Sequence, residues 1–220
     1  MSLLQISKKY LELLLSKYLP TKHQNEVTRY FRDGGDEKFR YDFDLNNNSI
    51  VFDLGGYKGQ WASDIYSKYN SKIMIFEPVL SYHNYIQNRF INNPNISTYN
   101  FGLGPVECSM EIGINDDGSS VYVKNSDVQT IKIVEVTNFF TQHQINKVDL
   151  MKINIEGGEY DLLNKIIDAD LINKIYVIHV QFHHFIPNAE VELEKLYSKL
   201  SLTHKPLYRY HFVWETWILK

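Results

Sequence analysis

Short apolar runs and segments of helical period alternate along this chain from Ser49 to its C-terminus. Ser49–Leu54 (SIVFDL) is a mostly apolar run that stops at Gly55-Gly56, the pattern of a strand buried on both faces. Gln60–Tyr69 has helical spacing through Trp61, Ile65 and Tyr69, and Lys72–Phe76 (KIMIF) is a second buried strand ended by Glu77-Pro78. Leu80–Asn92 reads as a second helix, stopped by Asn93-Pro94, and Ile96–Phe101 as a third strand. After an interruption the alternation resumes. Lys147–Ile153 is a strand, Gly158–Ile167 a helix, Lys174–Gln181 a strand and Ala189–Leu200 a helix. Runs around Leu207–Phe212 and Val213–Leu219 close the chain as a hairpin. The pattern predicts an α/β fold, a doubly wound, mixed seven-stranded sheet that is parallel except at its terminal hairpin.

The interruption, Gly102–Val136, holds the strand-like runs Cys108–Ile114, Val121–Val123 and Ile131–Val136, and predicts a small antiparallel insertion. The first 48 residues differ again. Leu3, Leu4, Leu11, Leu14, Leu15 and Tyr18 recur at helical spacing, which predicts a helix packed on the domain, with a membrane-surface or dimerisation helix as the alternative. Lys8, Lys9 and Glu12 break that stretch, which does not suit a signal peptide. Residues 20–48 are polar, with turn signals at Asp33–Asp36 and Asn46–Asn48, and read as a connecting arm. The expected organisation is a helix and arm over 1–48, covering one side of the binding crevice or joining a homodimer, and a single domain over 49–220.

Composition narrows the function classes. The 220 residues are 44% hydrophobic and 22% charged, enough to bury a sizeable core. Lys and Arg number 23 against 26 Asp and Glu, a net charge of −3, so no basic excess favours a nucleic-acid backbone as the main partner. The single cysteine, Cys108, excludes an internal disulfide and a cysteine-rich metal site. No apolar run reaches the ~18 residues of a membrane span. The expectation is a cytoplasmic protein.

The candidate chemistry lies in VFDLGGYKGQW, residues 51–61. Asp53 closes the first strand. Gly55, Gly56 and Gly59, with Tyr57 among them, then allow a tight turn and close approach to a ligand. Glu77, at the end of the next strand, is placed to accept hydrogen bonds from a ribose diol. The dinucleotide fingerprint Gly-x-Gly-x-x-Gly is absent, which argues against a nicotinamide-dependent oxidoreductase. An acid before the glycines suits a ligand with an ammonium group, and S-adenosyl-L-methionine carries one beside its ribose.

Five segments together resemble the FkbM family of methyltransferases: VFDLGGYKGQW, IFEP (75–78), NFGLG (100–104), GSS (118–120) and DLMKINIEGGEYDLL (149–163). The resemblance spans about residues 49–184. It implies a class I, Rossmann-like fold that uses S-adenosyl-L-methionine, with Phe101 and Gly102 joining the cofactor site. It also implies transfer of a methyl group to an oxygen of a small molecule, a sugar or secondary metabolite. The chain departs from the family where Asn154 stands in place of the usual Asp.

The strand Lys147–Ile153 should lie beside Ser49–Leu54, with Lys174–Gln181 outside it, which brings Asn154, Glu156, His183 and His184 to the rim that carries Asp53. A hydroxyl acceptor needs a base, and His183 or His184 is the natural candidate. If strand alternation continues, only one of the two faces the pocket, with His183 on the side of Gln181. Glu156 could orient that base, bind the acceptor or hold the cofactor amine. Ser119 and Ser120 are either acceptor-side groups or a polar turn. A lone carboxylate among Asn154, Glu156 and a histidine makes a poor hard-cation site, so no metal is expected. A nucleoside-binding module that has lost its base is the alternative of another class.

Overall fold

The computed structural model of the protein describes residues 20–113 and 128–220. Its strands are β1 (Ile50–Leu54), β2 (Lys72–Phe76), β3 (Ile96–Tyr99), β4 (Gly102–Gly104), β5 (Cys108–Gly113), β6 (Val128–Glu135), β7 (Val148–Ile153), β8 (Ile175–Val180), β9 (His204–Tyr210) and β10 (Trp214–Leu219). Its helices are α1 (Lys22–Arg32), α2 (Gln60–Tyr69), α3 (Leu80–Phe90), α4 (Val136–Gln142), α5 (Glu159–Asp168) and α6 (Ala189–Thr203). Seven strands form one sheet in the order β3-β2-β1-β7-β8-β10-β9, in which only β10 runs against its neighbours. The predicted doubly wound sheet with a closing hairpin is therefore present, with β7 beside β1 and β8 beyond it. Strand order turns about β1, so a crevice opens at the carboxyl ends of β1 and β7.

One core lies on the sheet face built by Phe52, Leu54, Met151, Ile153, Ile178 and Val180, covered by α4, α5 and α6. The other face carries Val51, Ile73, Ile75, Leu150 and Val177 under α2 and α3. That second face also holds an unusual row. Asp53, Lys152, His179 and Thr216 sit in adjacent register on β1, β7, β8 and β10, and all four are buried. The row works because its members pair laterally: Lys152 with Asp53, and His179 Nδ1 with Thr216 Oγ1 at 2.9 Å.

The arm departs from its expected form. Residues 22–32 are helical, and Thr21 caps them reciprocally with Gln24, a T-x-x-Q capping box that the polar composition obscured. α1 packs on the hairpin through Val27 and Tyr30 against Tyr210, Val213 and Trp214. The chain then runs over the second sheet face, where Tyr41, Phe43 and Leu45 join the core and Trp61 Nε1 donates to the Arg40 carbonyl at 2.9 Å. The described arm residues thus cover the hairpin and sheet face, and none lines the cleft described below. The predicted helix over the first 18 residues lies outside the described residues.

The insertion is a second, three-stranded sheet in the order β4-β6-β5. Its β5–β6 pair is antiparallel as expected, but Gly102–Gly104 adds a parallel strand to β6. Val136–Gln142 is helical and was not anticipated, since its seven residues cover too few turns to show a period. Val121–Val123, Ser119 and Ser120 lie outside the described residues.

Candidate active site

The loop after β1 is shaped by the protein's own backbone. Gly55 has φ +78°, and a Cβ there would run into the Asn154 carbonyl oxygen at the end of β7. A side chain at Gly56 would meet Ile75, and one at Gly59 (φ +73°) would lie 2.9 Å from the Phe90 ring. The glycines thus answer first to packing between β1, β7 and α3, rather than only to close approach by a ligand. The amides of Gly55 and Gly56 donate to the Phe76 carbonyl, and that of Gly59 to Gly56. Tyr57, between them, has φ +50° and lines the cleft.

Asp53 does not line the cleft. Its side chain is fully buried beneath it, with Oδ1 2.9 Å from Lys152 Nζ. Lys152 also donates to the Gly55 carbonyl at 2.8 Å, so one ammonium ties the floor of β1 to its loop. Burial raises the Asp53 carboxyl above the usual carboxylate range, against the pull of Lys152. The ammonium that the sequence pattern expected beside Asp53 is therefore supplied by the chain itself.

Glu77 stands at the end of β2 and lines the cleft. Its two carboxylate oxygens accept from the backbone of Tyr57 at 2.8 Å and of Val79 at 2.9 Å. It thus joins the glycine loop to the start of α3. Burial pushes its carboxyl up to about 7, although both backbone donors pull it down.

The opposite end of the cleft is the segment Asn154–Gly158. Glu156 has φ +55°, a strained conformation for a residue with a side chain. Glu159, the first residue of α5, holds it there. This fully buried carboxylate accepts from Ile155 N at 2.9 Å and Gly157 N at 3.0 Å, on either side of Glu156. It also receives His183 Nδ1 at 2.9 Å. The far nitrogen of that ring, Nε2, lies 3.5 Å from Glu156 Oε2. Burial lowers the proton affinity of His183, but the hydrogen bond and charge of Glu159, with the charge of Glu156, leave its pKa above the ordinary histidine value. Burial raises the Glu156 carboxyl, with His183 opposing. His184 points elsewhere. It is exposed, with its ring 4.8 Å from that of His23 on α1.

Together these walls enclose a cavity of about 390 Å³. Gly55, Tyr57, Glu77, Gly102, Asn154 and Glu156 line it, and Asn154 Oδ1 is buried without a hydrogen-bond partner. The small sheet adds an apolar side through Met110, Ile112, Ile131 and Ile133. Phe101 sits outside the cavity, its ring packed on Tyr99 and Phe76. Among the described residues, no cluster of three or more His, Cys, Asp or Glu is arranged for a metal.

A family model described as the methyltransferase FkbM domain matches residues 53–210, most of the chain. The chain belongs to the FkbM methyltransferase family. Similar solved structures include the fibrillarin/Nop5p complex, with 14% identity over 81% of this chain and 75% of that one, at a TM-score of 0.50. An rRNA methylase from Streptococcus thermophilus has 11% identity over 80% and 88%, with a TM-score of 0.46. M. capricolum TrmK, described in complex with S-adenosyl-homocysteine, has 12% identity over 80% and 62%, with a TM-score of 0.42. No curated protein matches the sequence. The fold is that of the class I methyltransferases, and family membership sets the oxidoreductase reading aside.

Of the candidate residues in this FkbM methyltransferase, the fold thus brings Gly55, Tyr57, Glu77, Gly102, Asn154 and Glu156 to one cavity, with His183 directly behind Glu156. It leaves Asp53, Gly56, Gly59 and Phe101 in the supporting walls and His184 outside. Two residues carry more than their sequence signal promised. Lys152 is a cation inside the apolar run VDLMKI, and that anomaly was its signal. Glu159 reads as an ordinary first-turn acid, and only the return of His183 from β8 reveals its second partner.

Proposed function

We propose that this chain is an S-adenosyl-L-methionine-dependent O-methyltransferase whose acceptor is a hydroxyl of a small molecule, a sugar or secondary metabolite. The observation that carries this reading is Glu156, a carboxylate of raised pKa in the cavity wall, backed by the His183–Glu159 pair. The donor set suits the cofactor: the Glu77 carboxylate and the unpartnered Asn154 Oδ1 are acceptors, matching the hydroxyl and ammonium donors of a nucleoside amino acid. When bound, that cofactor supplies an electrophilic methyl group on a sulfonium. Glu77 would hold the ribose, and Gly55 and Tyr57 would border the amino-acid end.

Glu156 takes the proton of the acceptor hydroxyl as the new C–O bond forms. Its raised pKa makes it a stronger base than an exposed carboxylate. His183 fixes the orientation of that carboxylate, and Glu159 fixes the ring. This reading moves the base from His183 to Glu156, because Glu156 is the group in the cavity wall. Asn154, where the family resemblance implies Asp, favours a second reading, a nucleoside-binding module without turnover.

The test is methyl transfer from labelled cofactor with the full chain, beside calorimetry of the cofactor alone. Glu156→Gln lowers kcat by about 100-fold or more while cofactor affinity stays within about threefold. His183→Ala shifts the pH profile of the rate, and His184→Ala leaves the rate within about threefold. A larger loss in His183→Ala than in Glu156→Gln returns the base role to His183. Cofactor binding without turnover on any acceptor selects the second reading.

A further inference from the structure

Asp161 has no part in the core or in the methyl-transfer reading, yet its side chain lines the cavity. It lies in the first turn of α5, whose N-cap, Gly158, belongs to the same wall as Glu156. The other acid of that turn, Glu159, is fully buried and holds Ile155, Gly157 and His183. Asp161 is its opposite. It is exposed, and its carboxylate makes no hydrogen bond or ion pair among the described residues. A first-turn acid supports its helix by charge alone, so that role leaves both carboxylate oxygens of Asp161 open to a ligand.

The groups around it are of both hydrogen-bonding kinds. The amides of Glu159, Tyr160 and Asp161 donate to no acceptor among the described residues, and α5 has no side-chain cap. Glu156 and Asn154 Oδ1 add acceptors. A hydroxyl group uses both kinds, since it donates to a carboxylate and accepts from an amide. An ammonium uses only the first, and it would face the positive end of the α5 dipole. The small sheet contributes Met110 and Ile133 to the wall, an apolar surface for the carbon–hydrogen face of a ring.

We propose that Asp161 is a specificity-determining residue of this cavity, which accepts a hydrogen bond from a second hydroxyl of the acceptor, beyond the one that meets Glu156. The acceptor is then a ring polyol of the sugar kind rather than a compound with a single hydroxyl. That the bound polyol is methylated rests on the methyl-transfer reading above; that Asp161 binds it does not. The contact joins a hydroxyl to a charged acceptor, and its loss weakens binding by about tenfold or more.

Two measurements on the full chain test this. Cyclohexanol, cis-cyclohexane-1,2-diol and myo-inositol share a ring and differ in hydroxyl number, and cyclohexylamine carries an ammonium instead. In the first measurement, their binding is followed by NMR titration with and without S-adenosylhomocysteine. The wild type binds myo-inositol at least about tenfold more tightly than cyclohexanol. Asp161→Ala removes most of that preference and leaves cyclohexanol within about threefold, while Asp161→Asn, which keeps an acceptor oxygen, falls between the two. Circular dichroism shows both variants folded, as an exposed position requires. Equal binding of polyol and cyclohexanol by the wild type, a preference that survives Asp161→Ala, or cyclohexylamine binding more tightly than the polyols overturns the proposal. In the second measurement, labelled methyl transfer to the same compounds gives a KM for the polyols about tenfold higher in Asp161→Ala, with kcat within about threefold. A loss confined to kcat overturns the proposal. Transfer to none of them, with the binding pattern intact, counts against the methyl-transfer reading and leaves the role of Asp161 standing.

Discussion

Lys152→Met keeps an apolar stem of similar reach and removes the ammonium. The wild-type Nζ sits 2.9 Å from Asp53 Oδ1 and 2.8 Å from the Gly55 carbonyl, and both side chains of the pair are almost wholly buried. The variant leaves the Asp53 carboxylate in the interior, where its Oδ2 already lacks a partner. Breaking a buried pair in this way costs about 3–5 kcal/mol, and the lost donor to Gly55 adds about 1 kcal/mol. Against a total stability of about 5–15 kcal/mol for a domain, that is a large fraction. The assay is urea unfolding followed by tryptophan fluorescence, for which Trp61 is well placed, its ring centre 5.9 Å from Nζ. Two controls isolate the charge. Asp53→Asn/Lys152→Met, which buries no ion, recovers at least about half of the loss. The pH dependence follows from the raised Asp53 carboxyl. A carboxyl whose folded pKa lies above its unfolded value contributes stability at low pH that is lost as pH rises through the folded pKa. Removing Lys152 raises that pKa further, so the variant's deficit is smaller at pH 5 than at pH 8. A deficit below about 1 kcal/mol at pH 8, or a double variant no more stable than the single one, refutes the reasoning.

The remaining predictions concern the cavity walls. Gly55→Ala places a Cβ against the Asn154 carbonyl at a left-handed φ and lowers stability by about 2–5 kcal/mol in denaturant unfolding; an unchanged midpoint shows that the turn can yield. Glu77 has a folded pKa of about 7 against an ordinary 4.5. Its neutral form therefore contributes roughly 2–4 kcal/mol below pH 4.5 that is lost as pH rises through 7, and Glu77→Gln flattens the stability–pH curve over that range. A slope equal to wild type contradicts the burial of this carboxyl. Glu159→Gln withdraws the charge that holds Ile155, Gly157 and His183, costs about 2–4 kcal/mol, and speeds hydrogen exchange at the Gly157 amide. Exchange at the wild-type rate shows that the loop holds its shape without it.

The order of elements from β1 to β10 was legible because buried strands and amphipathic helices impose different periods on a chain. Runs such as KIMIF and KIYVIHVQ have few other solutions. Two helices escaped. α4 is too short to display a period, and α1 is so polar that only its Thr21–Gln24 capping box marks it. The places of Glu77 and Glu156 in the cavity wall were legible because both follow strand ends on the rim of the crevice, a position that strand order dictates.

Asp53 shows where that logic stops. Its place at the end of β1 follows from the sequence, but its partner is 99 residues away, and Lys152 reaches it only because β7 pairs with β1 in that register. The same holds for the two histidines. Sequence makes His183 and His184 equivalent neighbours, while the fold turns one ring to Glu159 and the other to His23. By itself, the sequence determined the parallel sheet, the glycine turn and the acids at its rim, since these follow from local period and backbone freedom. Only tertiary structure decided which acid faces the cavity, which is neutralised by a lysine and which clamps a loop. Those roles depend on what packs beside each carboxylate, and desolvation and partner charge are properties of the folded neighbourhood rather than of the residue.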